Sequence, residues 1–170
     1  MRHIYLIFLV VICFTSCKSS KRAISKKTEN TSKVNHSNTN VANTKAERII
    51  KYAEAYKGIQ YKYGGTDRNG LDCSGLIYLA FKEEGMEIPR VSYIIAEEGK
   101  RISLNKVVKG DLLFFKTTKS SNRINHVGLV VNSKRGMIDF IHSTSSRGVI
   151  TSSLSESYWN KAFIEARRVL

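Results

Sequence analysis

Cysteine is scarce in this chain: three among 170 residues, and past position 17 only Cys73 remains. The chain beyond that point therefore has no cysteine pair and no internal disulfide framework. Histidine is nearly as rare, with His126 and His142 the two that fall after residue 44. Acidic side chains number 14 against 28 Lys and Arg, for a net charge of +14. Such a balance suits nucleic acid, anionic envelope polymers or lipid head groups. No zinc-finger spacing, RNA-binding aromatic motif or unbroken basic helix accompanies it, so nucleic acid is not expected as a partner. No long hydrophobic run exists either. The longest, Ile4 to about Phe14, is about half of the roughly 20 residues that span a bilayer. There is no internal repeat. What is present is 42% hydrophobic and 9% aromatic residues, enough for one domain with a real core.

The N-terminus points to export. In "MRHIYLIFLVVICFTSCKSS", Arg2 precedes the apolar run and small residues precede Cys17, the layout of a signal peptide over residues 1–16. "FTSC" resembles the lipobox of bacterial lipoproteins, which implies lipidation of Cys17 and removal of Cys13. Phe14 stands where an aliphatic residue is usual. Residues 17–44 continue as Ser, Thr, Asn and Lys with almost no apolar content, which cannot offset the entropy of ordering. They are expected to form a disordered tether with an r.m.s. span of about 30 Å, long enough to carry a domain away from a membrane. The expected location is the cell envelope, lipid-anchored at the periplasmic face of the outer membrane.

The folded domain is expected over 45–170. In "KAERIIKYAEAYKG", Ile49, Ile50, Ala53 and Tyr56 share one helical face, Thr44 is a plausible cap and Gly58 a stop. A second helix begins at Asp72 or Cys73 and runs to about Glu84, and Pro89 opens a short third helical piece. The pattern then turns to strands: "GDLLFFK", "HVGLVV", "MIDFIH", "GVITSS" and "AFIEARRVL", with "SLSESYW" between the last two. Helices first and antiparallel strands after make an α+β layout.

Cys73 sits in the first turn of the second helix, on the stripe shared by Leu76, Ile77, Ala80 and Phe81. Unpaired N–H groups and the positive end of the helix dipole there lower a thiol's pKa, and the thiolate is the nucleophile. A cysteine nucleophile needs a base. If "NSKRG" is a five-residue hairpin turn with Val131 opposite Met137, His126 falls directly opposite His142, on one face of the sheet. Cys73, His126 and His142 could also hold zinc. Few acidic residues lie near them and no HExxH or CxxC pair occurs, so no metal and no cofactor are expected.

"YKYGGT", "GLDCSGL", "IPRVS", "GDLLFF", "NHVGLVV" and the histidine of "FIHST" resemble, in order and spacing, the successive motifs of the NlpC family of bacterial cell-wall cysteine peptidases. The resemblance covers residues 46–170. It implies a papain-like fold, helices packed on a small curved antiparallel sheet, and cleavage of peptidoglycan stem peptides; a monomer is expected. Carried over, Cys73 is the nucleophile, His126 the general base and His142 the third group that orients the base. Tyr61 matches a tyrosine that helps bind substrate or stabilise the oxyanion, and Asp72, Ser74, Arg90 and Ser92 match positions lining the cleft. Ile95 replaces a common glutamine and Gln60 a common proline. No accessory wall-binding domain is expected, and the anchor and tether are expected to take that role. Endopeptidase action on D,D-crosslinks is favoured over the γ-D-glutamyl–diamino acid bond. The rivals are an amidase or acyltransferase on this fold and a non-catalytic wall-binding lipoprotein.

Overall fold

Helix α1 covers 45–54 and buries Ile49, Ile50 and Ala53, the face that the apolar spacing predicts. It ends in turns that close on Gly58, whose positive φ is open to glycine and whose N–H reaches the carbonyl of Val149 at 2.9 Å. The computed structural model describes residues 45–118, 122–134 and 136–170. The expected signal peptide, lipidation site at Cys17 and tether lie outside the described residues. All of the described ones belong to one unit, and among them no helix is long and apolar enough to cross a membrane.

A small hairpin, β1 (Thr66–Asp67) and β2 (Gly70–Leu71), leads into α2 (Cys73–Lys82) and the short α3 (Ser92–Ile95). Six strands follow: β3 (Lys100–Ile102), β4 (Leu112–Phe115), β5 (His126–Asn132), β6 (Asp139–Thr144), β7 (Gly148–Ser153) and β8 (Phe163–Arg168). They form one antiparallel sheet in the order β3-β8-β4-β5-β6-β7. "SLSESYW", which the sequence leaves as a bare connection, supplies helix α4 (Ser157–Ala162).

Alternation along the strands feeds two cores. Leu112, Phe114, Val127, Leu129 and Ile141 pack with α1 and α2 on one face. Leu113, Phe115, Val130, Phe140 and Ala166 pack on the other, beneath Trp159 of α4. This double burial explains the unbroken "LLFF", which has no solvent side. Helix α2 is fixed by Leu76, Ile77, Ala80 and Phe81, all fully buried. Each large side chain there contributes ~1.5–3 kcal/mol, against ~1 kcal/mol for a cap, so packing rather than capping holds the helix on the sheet.

The expected register is corrected. Leu129 pairs with Ile141 and Val130 with Phe140, and the ladder shifts before Asn132 pairs with Asp139. The β5–β6 register therefore stands two residues from the one that opposes His126 to His142, and the two histidines are diagonal. A bulge near the turn makes the connection longer than "NSKRG". An offset of two preserves the face of every side chain, so the rings still meet.

Candidate active site

Asp72 builds the start of α2. Its Oδ1 accepts the N–H of Gly75 at 2.7 Å and its Oδ2 accepts that of Gly64 at 2.8 Å. Arg90 closes the web, 2.8 Å from Asp72 Oδ1, donating to Ser74 Oγ at 2.7 Å and to the Gly65 carbonyl at 3.0 Å. Asp72 thus caps the helix and Arg90 ties it to the 61–65 loop, while both also line the cleft with Ser74 and Ser92. The glycine of "DCSG" is required by closeness: a Cβ on Gly75 would fall 2.1 Å from the Gly65 carbonyl oxygen. Gly75→Ala is expected to push this loop off the helix and destabilise the fold by ~1–3 kcal/mol, read as a lower urea midpoint at unchanged slope.

Cys73 and His126 line one cavity of about 580 Å³, and Cys73 with Tyr61 also borders a second of about 450 Å³. The thiol therefore lies along a two-lobed cleft. Although Cys73 is only partly buried, its surroundings desolvate the sulfur and push the thiol above its ordinary range; N–H groups of Val127, Ser74 and Cys73 itself pull the other way and lose. The expectation of an acidic thiol is corrected here: placement at a helix start does not outweigh desolvation. The Tyr61 phenol is also raised, first by burial and then by Cys73 and Asp72, and it lines both cavities with Cys73.

His126 begins β5, and its Nε2 lies 2.8 Å from Nδ1 of the fully buried His142. His142 Nε2 in turn lies 3.0 Å from Ser152 Oγ. Trp159 covers the pair, stacked on His126 at 5.2 Å and edge-on to His142 at 4.5 Å. Burial holds His126 down at about 4 against a weaker opposing pull from Asp72. His142 is held at about 2 by burial first, then by His126 and Arg147. Burial thus keeps both rings neutral at pH 7. His126 Nε2 faces His142, so Nδ1 is its ring nitrogen without a hydrogen-bond partner among the described residues. Among the described residues no three His, Cys, Asp or Glu side chains are placed to hold a metal ion.

The structure brings together Cys73, His126, His142 and Tyr61, and sets Asp72, Ser74, Arg90 and Ser92 beside them. Sequence reasoning missed Ser152 and Trp159. Both join the histidines through strand register and a short helix on the far face, neither of which leaves a local motif.

A thiol opening a buried helix, with a histidine pair on an antiparallel sheet, is the layout of the papain-like α+β class. Within it, the chain belongs to the NlpC/P60 family, whose model matches residues 58–168. The chain is 39% identical over 124 residues to the murein DD-endopeptidase MepS/murein LD-carboxypeptidase of Escherichia coli strain K12, covering 72% of this chain and 62% of that protein. It therefore spans less than two thirds of this curated relative. It is 35% identical over 124 residues to the γ-D-glutamyl-L-lysine dipeptidyl-peptidase of Bacillus subtilis strain 168, covering 72% of this chain and 40% of that one. Its fold matches the crystal structure of an NlpC/P60 family protein from Bacillus cereus with a TM-score of 0.67 at 28% identity, over 74% of this chain and 40% of the other.

Proposed function

We propose that this protein is an envelope lipoprotein, anchored through Cys17, that hydrolyses peptide bonds in peptidoglycan stem peptides. The observation that carries the reading is the buried His126–His142 contact at 2.8 Å beside Cys73, which leaves His126 Nδ1 facing the cleft as base. Cys73 is the nucleophile, His126 the general base and His142 the group that orients it. With the thiol and both rings neutral, attack and deprotonation occur together. Sγ bonds to the carbonyl carbon as its proton passes to His126 Nδ1. The oxyanion forms at the N–H groups of the helix start, with the Tyr61 hydroxyl as a further donor. The C–N bond then breaks and the leaving amine takes the proton from His126. Water, deprotonated by the same nitrogen, cleaves the thioester and releases the acid and the free thiol.

The relative named as a DD-endopeptidase supports a D,D-crosslink as the bond cut, which a domain on a tether could reach as the wall grows. The γ-D-glutamyl–diamino acid bond is the second reading, supported by the dipeptidyl-peptidase relative. The full-length chain in detergent, incubated with muropeptide monomers and crosslinked dimers, separates them by mass spectrometry. Monomers released from dimers, and absent with Cys73→Ala, are the expected result. Trimmed stems would move the assignment to the γ-D-glutamyl bond. A folded protein that cleaves neither substrate would refute hydrolysis and leave wall binding.

A further inference from the structure

One polar side chain at the histidine pair has no role in the chemistry above. Ser152 is on β7, 5% exposed, on the face that holds Phe140 and Trp159. Phe140 is its partner across the ladder, and His142 pairs two residues along with Ile150, so Ser152 and His142 are diagonal neighbours. An apolar residue would suit that cluster better. Among the described residues the hydroxyl has one hydrogen-bond partner, His142 Nε2 at 3.0 Å.

The contacts from His126 through His142 to Ser152 allow two proton arrangements, because each ring-to-ring or ring-to-hydroxyl contact holds one hydrogen. In the first, His142 Nε2–H donates to Ser152 Oγ, and His142 Nδ1 accepts the Nε2–H of His126. His126 Nδ1 then carries a lone pair toward the cleft. In the second, the Ser152 hydroxyl donates to His142 Nε2, and His142 Nδ1–H donates to His126 Nε2. The hydrogen of His126 is then on Nδ1, where it blocks the base. Turnover selects between them. Once His126 has taken the thiol proton, both of its nitrogens donate, so His142 Nδ1 must accept and His142 Nε2–H must find an acceptor in the interior.

We infer that Ser152 is a positioning residue of this site: by accepting His142 Nε2–H it holds both histidines in the tautomer that leaves His126 Nδ1 open to Cys73. The inference rests on the catalytic roles proposed above and adds a fourth member to that set. It assigns to the serine the direction of the whole chain of hydrogen bonds, at a point remote from substrate.

The test uses the full-length chain in detergent, labelled with ¹⁵N-histidine, as wild type, Ser152→Ala and Ser152→Thr. Two-bond ¹H–¹⁵N spectra read the tautomers without substrate. The wild type is expected to show Nε2–H for both rings. Ser152→Ala is expected to populate Nδ1–H and to lower kcat by ~10- to 100-fold at unchanged KM, and Ser152→Thr to restore both. If the alanine variant does not fold, Ser152→Cys keeps the volume with a poor acceptor and gives the same reading. Wild-type rings with Nδ1–H, or a kcat and tautomer pattern unmoved by Ser152→Ala, would overturn the inference. Should the wild type cleave no muropeptide, the substrate reading fails while the spectra still decide the role of Ser152.

Discussion

His126→Gln is expected to lower kcat/KM by ~10³-fold or more while the fold and Cys73 stay in place. The size of the effect follows from the thiol. Desolvation keeps Cys73 protonated at neutral pH, and the N–H groups of Val127, Ser74 and Cys73 do not compensate. Such a sulfur is nucleophilic only while a base takes its proton. Glutamine can keep a hydrogen bond to His142 but accepts no proton. An intrinsically acidic cysteine would behave differently, because its thiolate would survive loss of the base. Alkylation by iodoacetamide at pH 7 distinguishes the cases. The variant should react more slowly than a free cysteine, in step with its lost hydrolysis. Fast alkylation with hydrolysis lost would place the activation of the thiol in the helix start instead.

What could be read before the fold was known divides by the range of the interaction involved. Cys73 at a helix start, and the stripe of Leu76, Ile77, Ala80 and Phe81, are local, set by spacing and a cap within one turn. The meeting of His126 with His142 was legible in kind but not in register, because the shift between Val130 and Asn132 gives no sequence signal. The face survived the error because the offset was even. Ser152 needs the β5–β6 and β6–β7 registers together, so an error at either turn would have hidden it. Strand β3 has three residues and the β1–β2 hairpin two per strand, too short for alternation to stand out. The acidity of Cys73 was misjudged for a related reason. The helix start that lowers a pKa is visible in sequence, and the packed surroundings that raise it are not.

Trp159→Ala is expected to destabilise the protein by ~3–5 kcal/mol and to move the acid limb of its activity upward. Trp159 is 5% exposed and borders the same cavity as His126. It also packs edge-on against Phe115 and Phe140, so removing it opens the second core to that cavity. Water then reaches two rings whose low pKa values come first from burial. As the proposed base, His126 must be neutral to work. In the wild type it is held at about 4, so kcat/KM should stay near its neutral-pH level at pH 5 and fall only toward pH 4. In the variant the ring returns toward ~6.5, and at pH 5 it is mostly protonated and idle. The ratio of variant to wild-type activity should therefore drop between pH 8 and pH 5. Folding stability follows with the same sign. Between the ordinary histidine value and about 4 the unfolded wild-type chain binds a proton at His126 that the folded one does not, so stability is full above ~6.5 and declines as pH falls, by on the order of 3 kcal/mol for this ring alone. His142 adds to the decline. Hydrating the rings removes most of that difference, so urea midpoints of Trp159→Ala at pH 7 and pH 5 should lie closer together than those of the wild type. If the variant lost stability equally at both pH values and kept the wild-type acid limb, Trp159 would be packing alone, and the low pKa of the histidine pair would have to come from the strands beneath it.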